Sequence, residues 1–340
     1  MIVFATKDVG PAAYLAEIIK SINQEFVCVS SSVSSKVFDK HHIQNTVIDN
    51  DTQYGNDQYI KDNFKDISID IIVTGTSWGN CIDKAFIKFG IENHIKVISI
   101  VEHWSNYRER FLINNTLTLP DYIVVNDSLA KDEAVKDGLP DEIIYVLGNP
   151  VLENKAKNCR VNFNRKKWLD DFKIPDTKII TFVSENYAQD FPVKSTYYHG
   201  FDEYQVIGDL LEAVKQEGHL IIKLHPAEKP DKYDAYKSKN VTIVSQTDVD
   251  ALIAYSDFIV GMGSMLLIEA AFVRGDILSY RPNDRKGFVG NKIGATYLVK
   301  NKQEMHDIIL RTKTINNTAF KGRFQGSLER VVKFIEDKLP

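Results

Sequence analysis

Short apolar runs, each followed by a segment whose apolar residues recur at helical spacing, repeat along this chain and constrain its fold more than any other feature. Residues 2–5, 26–29, 46–48, 69–73, 96–101, 121–125 and 143–147 read as strands in the first half. Helices are expected between them at 12–22, 57–64, 81–89 and 129–136. In the first helix Tyr14, Leu15, Ile18, Ile19 and Ile22 form the apolar stripe. The alternation restarts further on, with strands at 179–183, 220–224, 241–244 and 258–260 and another after Gly275. Helices are expected at 166–172, 203–216, 249–255, from Ser264 onward, and at 305–310. Consecutive parallel strands need a connection of helix length, so such a chain builds parallel sheets with right-handed crossovers. At 340 residues it is long enough for two of them.

The fold class is therefore α/β, with two Rossmann-like parallel-sheet domains. Gly148 and Pro150 interrupt the pattern, and the charged stretch 153–165 reads as a linker. The expected domains are 1–152 and 160–318, with a final helix in 319–340 packing back on the first domain. Segment 187–200 reads as a long loop. The composition is 44% hydrophobic and 26% charged with a formal charge of -4, an ordinary globular balance without a basic field for nucleic acid. Cys28, Cys81 and Cys159 are widely spaced, which argues against a disulfide framework, and no His/Cys cluster points to a metal. The chain opens on MIVFAT, with no basic n-region or apolar h-region, and no run is long enough to span a membrane. A cytoplasmic location is the expectation.

In open α/β sheets, ligands bind outside the carboxyl ends of the strands. Asp8 follows the first strand, TGTS (74–77) follows the fourth, and EHWSNYRER (102–110) follows the fifth. Ser184-Glu185-Asn186 and KLHP (223–226) hold equivalent places in the second half. The densest signal is the segment 255–282: strand, glycine turn (Gly261, Gly263), then a helix opening at Ser264. Free backbone N–H groups and the positive helix end make this an anion site. Glu269 is the only charge among Leu266, Leu267, Ile268, Ala270, Ala271 and Phe272. A buried carboxylate needs a partner, for which a ligand hydroxyl is a good candidate; the plainer reading is that Glu269 sits at the helix edge, in water or paired to a nearby Arg such as Arg274.

KLHP at 223–226, followed by GMGSMLLIEA at 261–270, resembles the nucleotide-binding half of the GT-B glycosyltransferases. That group is structurally close to the hydrolysing UDP-N-acetylglucosamine 2-epimerases. The chain also resembles bacterial capsule and teichoic-acid transferases. The resemblance implies two domains facing across a cleft, with Lys223, His225, Pro226, Gly263 and Ser264 holding the base and phosphates of a nucleotide-sugar and Glu269 holding the ribose. The donor is UDP- or CMP-linked and serves as substrate, so no cofactor is expected. The same resemblance implies a glycan or lipid-linked precursor of the cell envelope as acceptor, which admits peripheral membrane association.

Departure of a nucleoside diphosphate builds up negative charge, which fixed N–H dipoles and a cation from Lys223, Arg274 or Arg281 would stabilise. A metal-independent transfer is the expectation. An inverting transfer needs a general base, for which Glu102 and His103 are the first choices and Asp8 the second. Asp8 capping the first helix is the plainer alternative, as is His199 lying in a surface loop. The second functional reading is a 2-epimerase or hydrolase using Glu102, Glu109 and Glu185. Against it, KDVGP stands where that family has a GxRPE-like start, and HWSNYRER follows Glu102 in place of an Ala-Gly-Leu-Arg run.

Overall fold

The computed structural model describes residues 1–49, 52–159, 164–214, 218–311 and 318–340. The start of the second domain expected at residue 160, and the tail 215–216 of the helix expected after 203, lie outside the described residues. The chain divides into two compact units, Met1–Glu153 with Arg323–Pro340, and Asn154–Gly322.

In the first unit the strands are β1 (Ile2–Thr6), β2 (Phe26–Ser30), β3 (Thr46–Val47), β4 (Ile71–Thr74) and β5 (Lys96–Val101). A small hairpin, β6 (Leu112–Ile113) with β7 (Thr116–Leu117), precedes β8 (Tyr122–Val125) and β9 (Ile144–Val146). The seven-stranded sheet runs β3-β2-β1-β4-β5-β8-β9, and every pair in it is parallel. Helices cover both faces of such a sheet, which explains why its central strands are unbroken apolar runs. Ile2, Val3, Phe4, Ala5, Ile71, Ile72, Val73, Val97 and Ile98 are all fully buried.

The first helix, Val9–Ile19, starts earlier than periodicity places it, and Gly10 and Pro11 are its first turn, not a preceding loop. The leading N–H groups of a helix have no intrahelical acceptor, so proline costs little there. Helix Ser32–Lys40 has no sequence forecast. It is nucleated by a capping box in which the Ser31 and Ser34 side chains each take the other's backbone N–H. The expected linker also begins as a helix, Pro150–Asn158. Asn149 Oδ1 accepts the N–H groups of Val151 (3.0 Å) and Leu152 (3.3 Å), so Pro150 opens a helix where a break was expected. The last helix, Ser327–Glu336, packs on Val9–Ile19 in the first unit, with Val331 and Ile335 inside its core.

The second unit holds β10 (Ile179–Val183), β11 (His219–Lys223), β12 (Val241–Val244), β13 (Phe258–Gly261), β14 (Ile277–Tyr280) and β15 (Tyr297–Val299). They form a six-stranded sheet, β12-β11-β10-β13-β14-β15, again parallel throughout. The expected loop 187–200 begins with a short helix, Tyr187–Asp190. The helix expected after Pro226 is only a 3-10 turn, Asp234–Tyr236, since Pro226 and Pro230 withhold the N–H groups a longer helix needs.

Candidate active site

Each sheet reverses its strand order once near the middle, between β1 and β4 in the first unit and between β10 and β13 in the second. These switch points open a crevice at the carboxyl ends of the strands. Acidic side chains gather at both.

In the first unit the crevice is built from residues 6–10, 75–83, 102 and 110. A Cβ on Gly75 would overlap Thr6, Pro11 and Asp83, so only glycine lets β4 leave the sheet this close to β1. Asp83, fully buried, accepts from the Lys7 N–H (3.0 Å) and the Ser77 hydroxyl (3.1 Å). Burial, helped by the Asp8 charge, pushes its carboxyl up to about 6. Ser77 in turn accepts the Asp8 N–H at 3.0 Å, and the Trp78 N–H donates to Asp8 Oδ2 at 3.3 Å. Asp8 stands at the N-cap of the first helix, yet its side chain accepts none of that helix's N–H groups. The plain capping role is therefore not what holds it.

Glu102 follows β5 directly and faces Gly10, where an added Cβ would come within 3.0 Å of its Oε1. Its Oε2 is buried and has no hydrogen-bond partner among the described residues. Burial pushes this carboxyl up to about 7, with the Arg110 guanidinium opposing the rise and Asp8 and Asp83 adding to it. Arg110 is itself locked, donating to Thr76 O (2.6 Å) and Ser105 O (3.1 Å). His103 lies beside Glu102 in sequence and pairs through Nδ1 with Ser105 Oγ at 2.9 Å. Burial and the Arg110 charge bring His103 down to about 4, so it is neutral at pH 7.

In the second unit Glu185 leaves β10 and its Oε2 accepts the Gly263 N–H at 2.8 Å, at the turn after β13. Burial pushes its carboxyl up to about 7, while N–H groups of the turn and the Arg281 charge act the other way. Ser264 is the N-cap of helix Met265–Val273 and accepts the Leu266 N–H. Arg281, buried beneath the turn, donates to Met262 O (2.6 Å), Gly287 O (2.9 Å) and both Asp284 oxygens (2.8 and 2.9 Å).

The His-Pro turn is held from below. The His225 N–H donates to Glu228 Oε2 at 2.6 Å, and Glu228 Oε1 accepts from Ser184 (2.7 Å) and Lys232 (2.7 Å). Lys232 also donates to Asn186 (2.8 Å) and Glu203 (2.5 Å). A cavity of about 540 Å³ opens beside this network, lined by Asn186, Glu203, Tyr204, Glu228 and Lys232 among others.

No family model matches the chain, and no curated protein matches it in sequence. Solved structures do match. The UDP-GlcNAc 2-epimerase of Methanocaldococcus jannaschii superposes with a TM-score of 0.69 at 16% identity, with 99% of each chain covered. The Neisseria meningitidis UDP-GlcNAc 2-epimerase, bound to UDP-GlcNAc, gives 0.70 at 15% identity over 99% of this chain and 100% of that one. HepE of Anabaena, in complex with UDP and glucose, gives 0.70 at 13% identity with the same coverage. The fold is that of the UDP-GlcNAc 2-epimerases.

Within this epimerase-type fold, the expected site residues fall into separate neighbourhoods. Asp8, Glu102 and His103 belong to the first unit's crevice. Gly263 and Ser264 form the turn of the second unit, and His225 and Pro226 are exposed at the end of β11. Lys223 is buried, which lowers its pKa, and it donates to Leu224 O at 2.7 Å. Glu269 is about a third exposed and pairs with Lys155 at 3.0 Å; Lys155 also reaches Asp250 at 3.5 Å. The plainer alternative, a Glu269 at the helix edge beside a cation, has Lys155 in the place suggested for Arg274, whose guanidinium donates to Ile253 O and Asp257 O. His199 lies in a loop, half-buried, with its ring tilted against those of Tyr187 and Phe191 at centroid distances of 4.6 Å from each.

Asp83, Glu228 and Lys232 have no place in the sequence reading. Asp83 carries a weaker signal than Glu269, because Lys84 follows it within the apolar run Cys81, Ile82, Ala85 and Phe86 and makes an acid there look like half of an exposed charge pair. Glu228 and Lys232 lie in a polar, proline-flanked segment where charge is unremarkable, so nothing marked them. Among the described residues no cluster of His, Cys, Asp or Glu could hold a metal ion, and no helix is long and apolar enough to cross a membrane.

Proposed function

We propose that this chain is a nucleotide-sugar enzyme, a glycosyltransferase that moves the sugar to an acceptor hydroxyl without a metal. The observation that carries the proposal is Glu102: a half-buried side chain at a switch-point crevice, with its Oε2 shielded from water and unpartnered among the described residues, and its carboxyl pushed up to about 7. A general base works best when its pKa lies near the working pH and its lone pair is free to receive a proton. His103 is a poorer base, since burial holds it neutral but weakly basic. The glycine turn of the second unit, with Ser264 at the helix start, supports a phosphate subsite. Glu269, one turn into that helix and paired with Lys155, is proposed to accept the ribose hydroxyls. The neighbouring structures that hold UDP, UDP-GlcNAc or glucose favour a uridine donor. The acceptor is proposed to be a glycan or lipid-linked envelope precursor, and the chain to work in the cytoplasm.

A second reading, 2-epimerisation or hydrolysis of the same nucleotide-sugar, is favoured by the fold itself, which covers the epimerase chains almost end to end. Saturation-transfer NMR against UDP, CMP, CDP and GDP tests the shared core of both readings. UDP is expected to bind, and Glu269→Ala to weaken it by ~1–3 kcal/mol, the loss of charge-assisted hydrogen bonds. Silence with all four nucleotides would end both readings. Incubating UDP-GlcNAc or UDP-glucose without acceptor then separates them, because rapid formation of an epimer or free sugar selects the second.

A further inference from the structure

The turn proposed to receive a phosphate is already occupied by an anionic group of the protein. Glu185 Oε2 accepts the Gly263 N–H at 2.8 Å, at the point where β10 and β13 diverge. The surroundings leave little room for two anions. A Cβ on Gly263 would overlap the Tyr187 hydroxyl, so the backbone is packed tightly there. Arg281, whose charge acts on Glu185, spends its hydrogen bonds on Met262 O, Gly287 O, a forked pair with Asp284, and longer contacts with the Tyr187 hydroxyl and His199 Nδ1. Glu185 is thus balanced mainly by backbone dipoles, which a phosphate would also claim.

Resting on the nucleotide-sugar reading above, we propose that Glu185 is a direct contact to the ligand's diphosphate and that it must carry a proton when the diphosphate is bound. Protonated, its carboxyl donates a hydrogen bond to a phosphate oxygen in place of repelling it, and the Gly263 N–H is released to the ligand. Nucleotide binding then takes up one proton per site. The free carboxyl exchanges its proton near pH 7. The bound ligand holds that proton to higher pH, so affinity is full below about 7 and falls as pH rises above it.

The other groups facing Glu185 do not titrate where the effect is read. Burial pushes the Tyr187 phenol well above its ordinary value, and burial and the Arg281 charge lower His199. Asp284, despite burial, is held low by its bonds to Arg281. The ligand's own terminal phosphate loses its last proton near pH 6. The test is calorimetric titration of UDP into the full chain between pH 7.5 and 9. UDP affinity of the wild type is expected to fall about tenfold per pH unit, the slope for one proton. In Glu185→Gln, which keeps the hydrogen-bonding shape without the charge, the slope is expected to vanish. Wild-type titrations in two buffers of different ionisation heat are expected to show close to one proton taken up, a readout that needs no variant.

A flat wild-type profile, or proton release on binding, overturns the proposal, and release would mean that the ligand expels an ionised Glu185 into water. A slope that persists in a folded Glu185→Gln overturns it too. UDP binding with no slope removes this inference alone. Absence of UDP binding at pH 6.5 by the wild type removes the nucleotide reading with it.

Discussion

Glu102 shows what a single buried carboxyl costs and what it provides. An unfolded glutamate has a pKa of about 4.3, whereas burial pushes this one up to about 7. Between those values the folded protein holds a proton that the unfolded chain has lost. Stability therefore falls as pH rises through that window, and above about 7 the full cost is present. Glu102→Gln cannot ionise, so it is expected to lose less stability than the wild type between pH 5 and 8, by on the order of 1–3 kcal/mol, read from urea midpoints. The same variant should lose turnover, whose acid limb in the wild type reflects deprotonation near pH 7. Equal pH dependence in the two proteins would mean that Glu102 is better solvated than its bare oxygen indicates. Arg110 gives a second handle, since its charge opposes the rise. Arg110→Met should move the acid limb to higher pH.

At the scale of elements, legibility followed burial. Strands such as β5 and β10 emerged with the expected bounds because sheets covered on both faces need unbroken apolar runs. The missed or shifted elements are those fixed by end chemistry: Ser31 with Ser34, Asn149 before Pro150, and Pro11 within a first turn. Each rests on one or two hydrogen bonds that periodicity does not register. Gly75 is another such point, invisible as a requirement until the neighbours are placed. Alanine there would press its methyl into Thr6, Pro11 and Asp83. Gly75→Ala is expected to destabilise the protein by ~1–3 kcal/mol, the usual cost of overpacking, and to disturb the Lys7 and Ser77 bonds to Asp83. Chemical denaturation checks the first effect, and hydrogen exchange at the Lys7 amide checks the second. A neutral substitution would mean that β4 and the first helix separate more easily than their packing implies.

At the scale of the whole chain, the two parallel sheets are legible because alternation and length dictate them, and the last helix is found on the first unit, as expected. What could not be read was the partnering of charges. Glu269 stood out as a lone acid, but its Lys155 partner comes from a stretch that looked like a linker. Glu185 was one of three polar residues at a strand end until the fold set it on the Gly263 turn. The chain's two ends, by contrast, meet through ordinary apolar burial. Val331 and Ile335 are fully buried in the same core as Ile2, Phe4, Leu15 and Ile18, and Arg323–Pro340 is part of the first unit although the whole second unit intervenes in sequence. Removing buried methyl groups costs about 2–5 kcal/mol for Ile→Ala. Ile335→Ala should therefore lower protection from hydrogen exchange across β1 and helix Val9–Ile19, while β10 and β13 keep theirs. The expected pattern is unequal because each unit has its own core, and loss of contacts in one is felt first by the elements that share it. If β10 and β13 lost protection to the same extent, the two units would unfold as one cooperative body, and the last helix would belong to the stability of the entire chain.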